Sequence, residues 1–151
     1  LYEFKGKKAV VVIFIATRCP YSNAFNGLMA RLAREYADRG VAFLGINSNK
    51  TEPVMEVAAH AQTNAFGFLV LKDQDNVLAD RLGATVTPEV FLLDSNWTLR
   101  YHGTLGNSHN PTTRAEQASD AELRPALESV LAGKPVAVAE TKAFGCTIKR
   151  L

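Results

Sequence analysis

Cysteine and proline stand together at Cys19-Pro20, between an apolar stretch and an amphipathic one. Residues 8–15 are rich in Val and Ile and apolar at nearly every position, which is typical of a strand buried on both faces of a mostly parallel sheet. From Pro20 onward the apolar residues follow the i, i+3, i+4, i+7 spacing of a helix, which Gly40 is expected to end. Cys19 should therefore cap this helix, with Pro20 at its first position.

A cysteine at the N-terminus of a helix is a candidate nucleophile, because the unpaired N–H groups and the positive end of the helix dipole favour the thiolate and lower the thiol pKa. The positive charge of Arg18 is expected to act in the same direction. The alternative is an inert cysteine, since Cys is among the residue types most often buried. Packing alone does not require a strand end, a cysteine, a proline and a helix to coincide, so we interpret Cys19 as reactive.

Ser22 and Cys146 bear on how the Cys19 thiol would be used. Ser22 occupies the place of the second cysteine of a Cys-x-x-Cys motif, so no disulfide can close within this motif. One turn into the helix, its hydroxyl could donate to the Cys19 thiolate or simply face solvent. Cys146 is the candidate resolving thiol. A bridge requires Cα atoms within ~7 Å, and the sequence favours a paired and an idle Cys146 about equally.

Length and composition favour one domain and exclude several classes of function. A chain of 151 residues, 47% of them hydrophobic, can bury one core. The formal charge of +2 is spread along the chain, so we expect no nucleic-acid partner. The cysteines and histidines lack metal-ligand spacing, and no nucleotide or flavin motif is visible. We therefore expect neither a metal nor a cofactor.

The apolar runs of the chain are short. The longest has eight residues, 9–16, whereas a helix that crosses a bilayer needs ~20. We therefore expect a soluble chain without a membrane span. The chain begins at Leu1 rather than Met, so an export signal could precede it, and the sequence leaves the compartment open.

The remaining patterns alternate between strand and helix and predict an α/β fold with a mixed central sheet flanked by helices on both faces. We expect a domain over 1–133 and an extended tail over 134–151 packed on the same domain. A polar, mobile loop over 103–118 could overhang the site. The predicted strands are 41–46, 66–71, 89–93 and 98–102, of which the last two form a hairpin. The predicted helices are 51–62, 75–82 and a last one that follows a capping box at 119–122. Pro125 is expected either to kink this last helix or to displace its start.

Three segments resemble a known family. Phe14–Pro20 is similar to the active-site entry of thioredoxin-like redoxins of the alkyl hydroperoxide reductase/thiol-specific antioxidant superfamily. Gly83–Phe91 resembles the segment that carries a cis-proline facing the cysteine in thioredoxin folds. The ending Gly145–Lys149 is similar to that of a peroxiredoxin-like subgroup. Because these segments occur in the right order along nearly the whole chain, the resemblance implies a thioredoxin fold.

The resemblance also implies roles for particular residues. Pro88 would be the cis-proline and Thr87 the residue whose backbone aligns an incoming substrate strand, with Thr17, Arg18 and Ser22 completing the groove. The implied activity is that of a thiol-dependent oxidoreductase or antioxidant, in which Cys19 attacks a disulfide or a peroxide. Cys146 or an outside thiol would release the product, and a thiol reductant or a disulfide-bearing protein would be the partner.

The chain departs from typical peroxiredoxins, which have Thr or Ser three residues before the reactive cysteine and Pro four residues before that. Ala16 and Val12 stand here, so the peroxide-activating hydroxyl is missing unless Thr17 supplies it. One alternative is a non-catalytic redoxin module that binds a client or senses redox state. Another is a monothiol glutaredoxin-like protein, although such proteins follow the cis-proline with Gly-Gly rather than Glu89-Val90.

Overall fold

The computed structural model describes residues 4–106 and 118–150, which form seven strands and five helices. In chain order these are β1 (Ala9–Phe14), α1 (Pro20–Asn23), α2 (Asn26–Ala37), β2 (Val41–Asn47), α3 (Val54–Thr63), β3 (Leu69–Lys72), α4 (Val77–Leu82), β4 (Val86–Thr87), β5 (Glu89–Asp94), β6 (Leu99–Gly103), α5 (Leu123–Leu131) and β7 (Cys146–Thr147). No helix in this part of the chain is long and apolar enough to cross a membrane.

Five strands form the main sheet in the order β3-β2-β1-β5-β6. β1 pairs in parallel with β2, and β2 with β3, whereas β5 runs antiparallel to β1 and β6 antiparallel to β5. All six residues of β1 are buried, as its Val-rich and Ile-rich sequence predicts for a central strand. The prediction of a mixed central sheet is confirmed.

Successive β1 side chains enter two different cores, because residues in a strand alternate between the faces of a sheet. Val11 and Ile13 pack with residues of α2 and α5, while Val10 and Val12 pack with residues of α4 and with Ile148 near the end of the chain. Helices therefore cover both faces, as predicted. The tail contributes a core residue of its own.

The single helix predicted from Pro20 to Gly40 is wrong, because the chain turns at Ala24 and Phe25 and divides it into α1 and α2. The Phe25 N–H binds the Ser22 carbonyl at 3.0 Å, which closes a tighter turn than that of an α-helix. This turn places the Phe25 side chain fully inside the first core. Cys19 consequently caps a helix of only four residues.

The capping box predicted at 119–122 is also not formed. The Ser119 hydroxyl accepts from the Ala121 N–H at 3.1 Å, and α5 begins only at Leu123. Pro125 thus becomes the third residue of the helix, where a backbone N–H has no partner within the helix in any case. Most of the loop predicted over 103–118 lies outside the described residues.

Beyond α5 the tail runs as extended chain. Its backbone joins the sheet at His102, whose N–H donates to the Ala139 carbonyl and whose carbonyl accepts from the Thr141 N–H, both at 3.0 Å. A Cβ on Gly103 would overlap Thr141, so glycine permits this close approach. Further along, β7 pairs antiparallel with β4.

Candidate functional site

Cys19 lies where β1 ends and α1 begins, which places its sulfur at the carboxyl edge of the central strand. Its backbone is extended and Pro20 occupies the first turn of the helix. The Ser22 N–H points to the Cys19 sulfur at 3.5 Å, so one of the unpaired donors at the start of the helix faces the sulfur. Cys19 is only 3% exposed.

Cys19 and Cys146 form a disulfide that joins positions 127 residues apart, with their Cα atoms 6.0 Å apart. The structure thus brings together the two cysteines whose pairing the sequence leaves open. Because Cys146 belongs to β7, the disulfide ties the tail to the start of α1.

The Thr87–Pro88 peptide bond is cis and lies beside this disulfide. Thr87 is the register partner of Cys146 in the β4–β7 pair, and its carbonyl oxygen lies 3.6 Å from the Cys19 sulfur. The backbone of Thr87 therefore contacts both halves of the disulfide. In reduced protein this carbonyl oxygen can accept a hydrogen bond from the Cys19 thiol.

Gly145 allows the tail to approach Thr87 closely. A Cβ at position 145 would overlap the Thr87 carbonyl oxygen and come within 2.7 Å of the Thr87 carbonyl carbon. Because both are backbone atoms, they cannot move aside as a flexible side chain could. The glycine before Cys146 is therefore a packing requirement of the disulfide site.

Ser22 is completely buried, so the alternative of a serine facing solvent is wrong. Its hydroxyl oxygen accepts a hydrogen bond from the Ala16 N–H at 3.2 Å. This bond links the end of the β1 segment to α1. Ser22 thus contacts Cys19 through its backbone N–H and shapes the cysteine turn through its side chain.

Thr17 and Arg18 point toward α3. The Thr17 hydroxyl donates to the Glu56 carboxylate, and the Arg18 guanidinium forms two hydrogen bonds to the same group, at 2.9 and 2.6 Å. These bonds, led by those from Arg18, lower the pKa of Glu56. The charge of Arg18, expected to act on Cys19, is therefore paired with a carboxylate.

Glu52, which no sequence motif marks, organises the backbone before Cys19. Its buried carboxylate accepts from the Thr17 N–H at 2.7 Å, the Arg18 N–H at 3.4 Å and the Asn47 side-chain amide at 2.8 Å. Burial acts to raise the pKa of Glu52, but the hydrogen bonds outweigh it and the pKa lies below its ordinary value. The carboxylate is thus held ionised behind the cysteine turn.

Asn47 is the last residue of β2 and Ser48 and Asn49 follow it; all three are buried at the same edge of the sheet as Cys19. The Asn49 side-chain amide donates to Glu52 at 3.3 Å, and its oxygen accepts from the Lys149 N–H at 2.6 Å. This turn therefore links the cysteine turn to the tail. The position of these residues after a parallel strand was the available sequence signal.

A second carboxylate, Glu89, follows the cis-proline directly. One oxygen accepts from the Thr85 N–H at 2.8 Å, and the other contacts the His102 ring, which also lies 3.7 Å from Glu140. The sequence offered no carboxylate partner for His102, because the pairing depends on the register of β5 and β6. Its imidazole stacks on Phe91 with ring centres 4.3 Å apart.

Among residues 4–106 and 118–150, no group of three or more His, Cys, Asp or Glu side chains is placed to hold a metal ion. His109 lies outside these residues.

The AhpC/TSA family model matches residues 1–102, which include β1, Cys19 and the cis-proline segment. The chain belongs to the AhpC/TSA family. Solved structures that resemble this redoxin include thioredoxin-like proteins. The prediction of a thioredoxin fold is therefore confirmed. No curated protein sequence matches it significantly.

Two solved structures resemble this redoxin over 99% of its length. A hypothetical protein from Sinorhizobium meliloti is 34% identical, with a TM-score of 0.91 and 84% of that chain covered. An uncharacterised conserved protein from Geobacillus kaustophilus is 28% identical, with a TM-score of 0.90 and 80% of that chain covered. Both likenesses include the tail segment, which lies beyond the residues that the family model matches.

A more distant structure is a secreted disulfide oxidoreductase of Mycobacterium tuberculosis that is homologous to DsbE of Escherichia coli. It is 22% identical, with a TM-score of 0.64, and the match covers 87% of this redoxin and 85% of that chain. At this identity the likeness shows a shared fold.

Proposed function

We propose that this redoxin is a two-cysteine thiol-disulfide oxidoreductase in which Cys19 is the nucleophile and Cys146 the resolving thiol. The observation that carries the proposal is the disulfide between them beside the cis Thr87–Pro88 bond. A cysteine capping a helix next to a cis-proline can present a thiolate to a substrate sulfur. Residues 1–133 and the tail then act as one catalytic domain.

The reaction proceeds in two exchanges. The Cys19 thiolate attacks one sulfur of a substrate disulfide, forms a mixed disulfide and releases the other substrate sulfur as a thiolate. The Cys146 thiolate then attacks the Cys19 sulfur, which forms the internal disulfide and releases the second substrate thiolate. The substrate gains two electrons, and a thiol reductant must later return two electrons to the cysteine pair.

The direction of the Thr17 hydroxyl favours a disulfide over a peroxide as substrate. Peroxide reduction would require a donor to activate the peroxide oxygen, and Ala16 has no hydroxyl at the usual position. Thr17 could replace it, but its hydroxyl donates to Glu56. Thr87 and Pro88 shape the substrate groove in this proposal, and Arg18 lies at the rim, where its guanidinium is exposed.

The competing hypothesis is a non-catalytic module that uses the same fold to bind a client. Intact-mass measurement separates the two when reduced wild type and Cys146→Ser are each treated with one equivalent of oxidised glutathione and then alkylated. We expect the wild type to lose both free thiols as a monomer. Cys146→Ser should instead accumulate glutathione on Cys19, because the resolving thiol is absent.

Cys19→Ser is the complementary variant. Serine also caps helices well, so the fold should persist while reduction of oxidised glutathione falls to the uncatalysed rate. Wild-type thiols that do not react would favour the binding module. Oxidation of Cys19 alone, with Cys146 remaining free, would show that an outside thiol resolves the intermediate and would contradict the role proposed for Cys146.

A further inference from the structure

The second core contains a cavity of about 140 Å³, which neither cysteine lines. Its floor is the face of the main sheet that points away from α2. Side chains from three neighbouring strands form this floor: Val12, Leu44, Ile46 and Leu93. Val12 and Leu44 are register partners in the β1–β2 pair, so they stand side by side on that face. The floor is therefore built from rigid, buried strand residues.

Helix α4 forms the roof of the cavity. Leu78, Arg81 and Leu82 line it, and their spacing of three and four residues places them on one face of the helix. Apart from Arg81, every described side chain that lines the cavity is Val, Leu or Ile. Such walls suit hydrocarbon, since an apolar cavity of ~150 Å³ accepts benzene. The volume therefore fits a hydrocarbon body of about five or six carbon atoms.

Arg81 gives the cavity a charged mouth. The residue is exposed, and a long arginine stem lies along apolar surface while its charged head stays in water. The neighbouring Asp80 pairs with Arg150 at 3.1 Å. Within residues 4–106 and 118–150, no carboxylate pairs with Arg81. The guanidinium is therefore available to an anionic group of a ligand.

We propose that this cavity is a binding site for a short-chain monocarboxylate. The hydrocarbon chain lies between α4 and the sheet, and the carboxylate pairs with Arg81 at the mouth. A carboxylate fits this position because a guanidinium can donate two parallel hydrogen bonds to it. A neutral hydrocarbon would leave Arg81 unused, and a small inorganic anion would leave the apolar walls unused. The site adds a ligand to the redox function and does not depend on it.

Hexanoate is the probe for this site, and NMR spectra of protein labelled at its Val, Leu and Ile methyl groups show where it binds. The signals of Val12 and Leu44 should shift and saturate as hexanoate is added. The signals of Val11, which points from the same strand into the first core, should stay in place. Acetate has the carboxylate without the chain and should bind at least roughly tenfold more weakly.

Arg81→Gln tests recognition of the charge. It should weaken hexanoate binding about threefold or more and leave the binding of 1-hexanol, which has the same chain length and no charge, unchanged. Arg31→Gln is the matched control, because Arg31 is an exposed arginine on α2. This control should bind both probes as the wild type does. Equal hexanoate binding in Arg81→Gln and wild type would overturn the proposal, because Arg81 would then only cover the edge of the core.

Val12→Phe tests the cavity itself. A phenyl ring on the floor should occupy the space of the ligand chain and abolish binding of both hexanoate and 1-hexanol. Unchanged methyl signals in the first core verify that the variant is folded; if it does not fold, the comparison of Arg81→Gln with Arg31→Gln decides. Hexanoate binding by folded Val12→Phe, or wild-type shifts that spread over both cores without saturation, would overturn the proposal.

Discussion

Cys19 and Cys146 share one disulfide, but different kinds of contact position them. Cys19 lies between a fully buried strand and a helix, and the carboxylate of Glu52 holds the backbone just before it. Cys146 lies in a strand of two residues whose ladder partners belong to β4, about sixty residues earlier in the chain. Cys19 thus belongs to the core framework, by which we mean the main sheet and the helices packed on it. Cys146 lies on the tail, which packs against this framework.

This difference implies that the two halves of the site can be disturbed separately. Contacts within the core framework are cooperative, so damage near Cys19 should lower the stability of the whole domain. The tail is bound through a few anchors, so damage there should release Cys146 while the sheet stays folded. Variants that affect one half and spare the other test this division.

Gly145→Ala should have the largest effect, and it should impair pairing of the cysteines while sparing the core framework. Its Cβ would overlap the Thr87 backbone, so the tail must move away from β4. The fraction of protein with an internal disulfide in a glutathione redox buffer gives the effective concentration of the two thiols toward each other. In Gly145→Ala this effective concentration should be at least roughly tenfold lower than in the wild type. Thermal unfolding of the reduced protein should change little.

Gly27→Ala is the matched control for this glycine substitution. Gly27 lies in α2, where an added Cβ would meet only the end of the Arg31 side chain at 3.4 Å, an ordinary contact. The internal disulfide should form as in the wild type. A wild-type effective concentration in Gly145→Ala would show that the close approach to Thr87 is not needed for pairing.

Ile148→Ala should have the next largest effect. Removing a buried Ile side chain costs about 2–5 kcal/mol, and this cost should appear mainly as loss of tail docking. We expect faster amide hydrogen exchange over residues 134–150 in the reduced protein, with β1 still protected. Val138→Ala is the control, because its side chain is 55% exposed. Equal loss of protection in tail and sheet would contradict the separation of the two regions.

The Cys19 half of the site could be predicted from the sequence, because it depends on local patterns. An apolar Val-rich and Ile-rich run predicts β1, and Cys19-Pro20 at its end predicts a capped helix; both depend on residues adjacent in the chain. The break of that helix at Phe25 was missed because burial of one aromatic side chain overrode a regular 3.6-residue spacing.

The other half depends on register and long-range pairing, which a single sequence does not display. Nothing in the tail itself indicates that Cys146 lies opposite Thr87, or that Asn49 binds the backbone of Lys149. Glu52 was missed for a related reason, since a glutamate in the first turn of a predicted helix is usually exposed to solvent. Only its burial beneath the cysteine turn reveals its role.

Glu52→Gln tests the core half and should have an intermediate effect. Loss of one charged acceptor beneath two N–H groups should lower the free energy of unfolding at pH 7 by about 1–3 kcal/mol. The pKa of Glu52 is lowered in the folded protein from an ordinary value of 4.5. Its stabilising contribution is therefore present above pH 4.5 and is lost as the pH falls through the folded-state pKa.

The difference in unfolding free energy between wild type and Glu52→Gln should accordingly shrink as the pH is lowered below about 4.5. Urea unfolding at a series of pH values measures it. Glu56→Gln is the comparison, because the Glu56 side chain is 33% exposed, and it should give a smaller difference at pH 7. A difference for Glu52→Gln that grew in acid would contradict an ionised carboxylate beneath the cysteine turn.

Arg18→Ala should have the smallest effect, although Arg18 is adjacent to the nucleophile. Its guanidinium is 59% exposed and paired with Glu56, and exposed ion pairs contribute little. Because Glu56 already balances its charge, removing Arg18 should change the rate at which reduced Cys19 reacts with iodoacetamide at pH 7 by less than about twofold. A much larger fall in that rate would show that Arg18 acts on the thiolate directly. The reactivity of Cys19 would then depend on a surface charge as well as on the backbone N–H groups that the core framework holds in place.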